Sequence, residues 1–103
     1  ASRLTDKPVY LLTSSTTQSA AEYFVYNLAM HKRVTIVGER TGGAQHSGAF
    51  RKISDDFGIA IQETPPPPSP FPVKGWEIIG VDPDVRIESG LALRTATRLA
   101  TSR

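Results

Sequence analysis

Val9-Tyr10-Leu11-Leu12-Thr13-Ser14-Ser15-Thr16-Thr17-Gln18-Ser19-Ala20-Ala21-Glu22 opens on a short apolar run and closes on polar, helix-starting residues. The run after Pro8 reads as a buried strand that delivers the chain to a Ser/Thr-rich loop. Ser19 to about Lys32 then follows a helical period, with Ala21, Phe24, Val25, Leu28 and Ala29 on the apolar side and Glu22, Tyr26 and Asn27 on others. Ser19-Ala20-Ala21-Glu22 has the form of a capping box, and His31-Lys32-Arg33 sets positive charge at the far end. Val34-Thr35-Ile36-Val37, stopped by Gly38, is a second buried strand. Strand, helix and strand within about thirty residues make a βαβ unit, which requires parallel pairing.

Outward from this unit the chain changes character. Glu39 to Gly48 carries three glycines and reads as loop or irregular hairpin. Phe50–Ile53 and Phe57–Gln62 are expected as two strands about the turn Ser54-Asp55-Asp56, with Phe57, Ile59 and Ile61 lining the buried face of the second. Six prolines within residues 64–72 exclude helix and central strand there, and imply an extended connection. Trp76–Val81 is a further apolar segment, Asp82-Pro83-Asp84 a turn, Val85-Arg86-Ile87 a short strand. Leu91 to Leu99 closes the chain as a helix, whose apolar face is Leu91, Ala92, Thr95, Ala96 and Leu99.

At 103 residues the chain is one domain or part of one. Twelve basic and ten acidic residues spread along it give no basic stripe of the kind nucleic acid requires. Zero cysteines exclude a thiolate metal site and a cysteine nucleophile, and leave the compartment open. No apolar run approaches the ~18 residues of a spanning helix.

Three features carry chemistry. Ser19 starts a helix, where amides and the positive dipole end suit a developing oxyanion; a plain capping role fits the same residue. Gly38-Glu39 followed by Thr41-Gly42-Gly43 permits close backbone approach or an ordinary turn, and lacks the phosphate-loop pattern. Glu77 beside Trp76 is either a shielded functional carboxylate or a surface glutamate next to a core tryptophan. His31, twelve residues beyond Ser19 on one helix, lies roughly 18 Å away at about 1.5 Å per residue and cannot be its base.

Leu12 to Glu22, Val37 to Ala44 and Trp76 to Val85, in that order and spacing, resemble the carboxy-terminal processing (tail-specific) serine peptidases. The branch most similar is the one that contains tricorn core protease and interphotoreceptor retinoid-binding protein. The resemblance implies a mixed α/β fold, a ClpP/crotonase-like core of ββα units of which residues 1–103 are the C-terminal half. It implies Ser19 as nucleophile, the Ala20 amide as an oxyanion donor and Glu77 as the glutamate of a Ser-His-Ser-Glu tetrad. The histidine and second serine would come from an upstream segment. Ala44 stands where the processing branch carries its dyad lysine, so a Ser–Lys dyad is not implied. Gly42, Gly43 and His46 are candidate substrate contacts. The expected activity is peptidase action on unstructured peptides or polypeptide C-termini, without metal or organic cofactor. The segment alone is expected to be inactive. The alternative is an apolar-ligand carrier on the same fold. Expected partners are a peptide substrate, the upstream segment, and a second copy or partner chain over an exposed core face. Many relatives act outside the cytoplasm, which makes export an expectation of the resemblance alone.

Overall fold

The computed structural model describes residues 3–45, 48–62 and 75–102. Its elements run β1 (Tyr10–Thr13), α1 (Ala20–Met30), β2 (Thr35–Gly38), β3 (Ala49–Lys52), β4 (Gly58–Ile61), β5 (Val85–Arg86) and α2 (Ser89–Thr101). β1, β2 and β5 form a parallel sheet in the order β1-β2-β5, with Tyr10 opposite Thr35, Thr13 opposite Gly38 and Val37 opposite Val85. The expected βαβ unit is therefore present. The proline tract and His46 lie outside the described residues.

The central strand is covered on both sides, because successive side chains of a strand point to opposite faces. Val37 is wholly buried against Ala92 and Ala96 of α2, with Tyr10, Val85, Ile87 and Leu99 packed around them. Ile36, pointing the other way, shares a cavity wall with Tyr26 and Ala29 of α1. The α2 face matches expectation: Ala92, Thr95 and Ala96 are buried and Leu99 half-buried, while Leu91 stays exposed at the helix start.

α1 is turned relative to the expected face. Its buried residues are Glu22, Val25 and Tyr26, whereas Ala21 and Phe24 are exposed and Leu28 and Ala29 half-buried. The reason is long-range. Trp76, itself buried, meets Tyr26 at 5.0 Å and Tyr23 edge-on at 6.0 Å between ring centroids, so aromatic packing fixes the rotation of the helix. Glu22 enters the interior because donors from another loop converge on it. Neither influence belongs to the helix's own hydropathy.

α1 ends in a Schellman motif. Arg33 N–H donates to Leu28 O at 2.9 Å and Lys32 N–H to Ala29 O at 2.9 Å, with Lys32 in the left-handed region at φ 53°. A glycine usually holds that place.

β3 and β4 pair antiparallel, Ala49 opposite Ile61 and Lys52 opposite Gly58, as a two-stranded sheet of their own. The expected burial of β4 does not occur. Phe57, Ile59 and Ile61 are exposed, as is Ile53, because among the described residues no third element packs on the hairpin. Pairing puts Ile53, Phe57, Ile59 and Ile61 on one face, so the apolar stripe is real but uncovered. The radius of gyration of 16.8 Å exceeds the ~13 Å of a compact chain this long, consistent with a protruding hairpin.

Candidate active site

The strand β1 ends at Thr13, and the loop after it closes on itself before α1 begins. Ser14 N–H donates to Thr17 Oγ1 at 3.0 Å and Thr17 N–H to Ser14 O at 3.0 Å. Ser19 then adopts φ 56°, ψ −121°, a conformation that costs a non-glycine residue of the order of 1–3 kcal/mol. Ala21 N–H donates to Gln18 O at 3.2 Å, which makes Gln18–Ala21 a turn with Ser19 at the position glycine prefers in type II′ turns. An ordinary N-cap serine sits instead in the β region with negative φ. Ser19 is exposed, and Ala20 supplies one of the N-terminal amides that a helix leaves without an internal partner.

The loop from Glu39 to Gln45 joins everything near this turn. Glu39 Oε2 accepts from Ser15 N–H at 3.0 Å, and Gly42 N–H donates to Thr17 O at 2.8 Å. Hydrogen bonds from Ser15 and from Ser89, at the start of α2, outweigh desolvation and hold the Glu39 carboxyl below its usual range. A side chain at Gly42 would collide with Gln18 at 2.7 Å, so glycine here lets the loop lie against the residue preceding Ser19. Thr41 and Gly43 are buried and Gly42 is exposed.

Glu22 is fully buried beneath this loop. Its Oε1 accepts from the Thr41 hydroxyl at 2.5 Å and Gly43 N–H at 2.7 Å; its Oε2 accepts from Ala44 N–H at 2.8 Å and Ser19 N–H at 3.0 Å. Burial pushes its pKa up, but the Thr41 hydroxyl and the Gly43, Ala44 and Ser19 amides together hold it below the usual carboxylate range. Sequence reading placed Glu22 only as the partner of a cap. The signal for more was there in Thr41-Gly42-Gly43, a hydroxyl and small-residue amides suited to an anion, but nothing in the sequence says which anion.

The third segment is the turn from Gly75 to Asp82. Ile78 N–H donates to Gly43 O at 2.7 Å and Gly80 N–H to Trp76 O at 2.8 Å. A side chain added at Gly80, whose φ is 69°, would put its Cβ 2.2 Å from Thr41 O, so only glycine fits. Ile78 stands at φ 68° and is 85% exposed, an unusual state for a β-branched residue. Glu77 and Gln45 clasp each other: Gln45 N–H donates to Glu77 Oε2 at 2.6 Å, and Glu77 N–H to Gln45 Oε1 at 3.2 Å. Arg40 donates to both oxygens of Asp82, with Arg86 donating to one of them, which fastens the outer end of this turn.

The candidate residues are thus brought to one place by a shared loop. Ser19 and Ala44 meet on one oxygen of Glu22, and the next amide, Gln45, holds Glu77. The amides of Gly42, Gly43, Ala44 and Gln45 are all engaged internally, and Gly42 is exposed. Among the described residues no group of three His, Cys, Asp or Glu side chains is placed to hold a metal ion.

The chain belongs to peptidase family S41, whose model matches residues 1–87. Its fold is similar to that of a photosystem II D1 C-terminal processing protease, with a TM-score of 0.63 and 28% identity over 92% of this chain and 25% of that one. The chain therefore spans about a quarter of that protease's length. The family read from the three motifs and the mixed α/β class hold, the chain forming part of an S41 protease fold.

Proposed function

We propose that this chain supplies the nucleophile of a serine peptidase, Ser19, and that the rest of the parent protein supplies its base. The observation that carries the reading is the left-handed Ser19, exposed at the first turn of α1. A serine kept in a glycine conformation persists only where surrounding contacts impose it, and such strain concentrates at functional sites. In the first step Ser19 Oγ attacks the scissile carbonyl carbon and its proton passes to the base. The carbonyl oxygen becomes an oxyanion facing the Ala20 amide, and collapse expels the amine with that same proton. Water then repeats the sequence on the acyl-enzyme. Glu77, held by Gln45, would act as a fixed anion that polarises the site through a second serine supplied, like the base, from outside this chain.

The test uses the full-length protein. A fluorophosphonate should label Ser19 and halt cleavage of an unstructured peptide, and Ser19→Ala should abolish both. Ser19→Asp should be equally inactive although aspartate caps a helix as well as serine does. Full activity in Ser19→Asp would reduce Ser19 to a cap.

A second reading rests on a cavity of about 380 Å³ whose wall is mostly apolar, with Tyr26, Met30, Ile36, Ile79 and Val81, and also includes Asp82 and Asp84. That size and lining suit an apolar ligand. Binding of a retinoid or fatty acid without fluorophosphonate labelling would favour this carrier function.

A further inference from the structure

We propose that Glu22 is a positioning residue for Ser19: its carboxylate locks the serine turn to the glycine loop and so keeps the nucleophile in its left-handed conformation. The inference rests on the peptidase reading of Ser19. A capping box asks only that Glu22 accept from the Ser19 amide, and a first-turn glutamate can do that from solvent. Here the side chain is buried outright and takes three further donors: the Thr41 hydroxyl and the Gly43 and Ala44 amides. All four partners are donors, two on each oxygen. Only a carboxylate answers them all, because glutamine has one acceptor oxygen and in either orientation would turn its NH₂ toward at least one N–H, that of Gly43 on one side or those of Ala44 and Ser19 on the other.

The arrangement ties the mobile coordinate of the site to rigid ones. Ser19 is fixed at its amide by Glu22 and at its carbonyl by Tyr23 N–H at 3.0 Å. Glu22 is fixed in turn by the loop, and Thr41 passes the connection on, since its hydroxyl also accepts from Val81 N–H at 2.7 Å. Released from Glu22, residue 19 would relax toward the negative φ of an ordinary N-cap and swing its hydroxyl away from the Ala20 amide. Substrate contacts made elsewhere would be unaffected. The loss should therefore fall on the attack step, kcat, and not on KM.

Full-length protein carrying Glu22→Gln, Thr41→Val or Thr41→Ser decides the matter, with the second-order rate of fluorophosphonate labelling at Ser19 as readout beside kcat and KM. A nucleophile displaced by about an ångström costs roughly a hundredfold, so Glu22→Gln should label ten- to a hundredfold more slowly with KM within about threefold of wild type. Thr41→Val should lose less, about three- to tenfold, and Thr41→Ser should return to within about twofold because it restores the donor. Should Glu22→Gln show no folded state by melting, the contrast between Thr41→Val and Thr41→Ser carries the test. Wild-type labelling rates in folded Glu22→Gln, or in Thr41→Val, would overturn the positioning role even with a lowered melting temperature. A folded wild type that is not labelled would instead overturn the peptidase reading, and this one with it.

Discussion

Ser19 is the residue where stability and function pull apart. The proposed role needs an oxygen nucleophile on its side chain, while its backbone, at φ 56°, asks for glycine. Ser19→Gly should therefore raise stability by about 1 kcal/mol, since it removes the φ penalty and loses only a few tenths for the cap. Ser19→Ala keeps the strain and loses the cap, so it should unfold about 1 kcal/mol more easily than wild type. Both should be inactive. Urea melts of the three forms give the order directly, and a destabilised Ser19→Gly would mean that the turn is not strained. Glu77 makes a second contrast at this scale. A charge placed ~6 Å from a protonated base would contribute roughly 3 kcal/mol at an effective dielectric near 20 before solvent losses. Glu77→Gln in the full-length protein should lower kcat about ten- to a hundredfold with little effect on melting. Unchanged kinetics would leave Glu77 as a clasp for Gln45 alone.

α1 illustrates how an element is specified at its ends and adjusted along its face. Its start and stop were legible in Ser19-Ala20-Ala21-Glu22 and His31-Lys32-Arg33, and the helix runs Ala20–Met30 between them. The stop carries a lysine in the left-handed position of the Schellman motif. Lys32→Gly should thus stabilise the fold by about 0.5–1 kcal/mol, measured as a shift of the urea midpoint at constant m-value. A neutral or negative shift would show that the lysine side chain compensates for its backbone. The start of the same helix is pH-dependent through Glu22, whose folded carboxyl titrates below its unfolded value. The unfolded chain therefore binds a proton first as pH falls. Glu22's stabilisation is complete above its unfolded pKa, near 4.3, and drains away as pH drops through the lower folded value. Glu22→Gln should flatten that part of the stability profile, and an unaltered acid limb would show that other carboxylates set it.

On the scale of the whole molecule, the hairpin is the conspicuous feature. Ile53, Phe57, Ile59 and Ile61 share one uncovered face, and both of its strands are edges. Such a surface seeks a partner, whether a second copy or another part of the parent protein. The 103-residue chain by itself should form dimers or larger species by light scattering at micromolar concentration. Replacing Ile59 and Ile61 with threonine should shift it toward monomer. A clean monomer for the unaltered chain would show that the stripe is tolerated in water.

The sequence by itself determined the order of elements, the parallel βαβ unit, the buried face of α2 and the three segments that compose the site. These follow from periodicities of two and 3.6, from caps and from breakers, all of which act over a few neighbouring residues. Residues that look apolar were another matter. Phe24 and Ile61 read as core yet stand exposed, while Glu22 reads as surface yet is buried. Whether a side chain is covered depends on what lies opposite it, and for Glu22 that is a loop some twenty positions away. Tertiary structure alone decided the rotation of α1 on Trp76, the convergence of four donors on Glu22 and the left-handed turn at Ser19. Each of these results from forces between segments distant in sequence, where a hydrogen bond or an aromatic contact in the interior outweighs the local preference of a single residue.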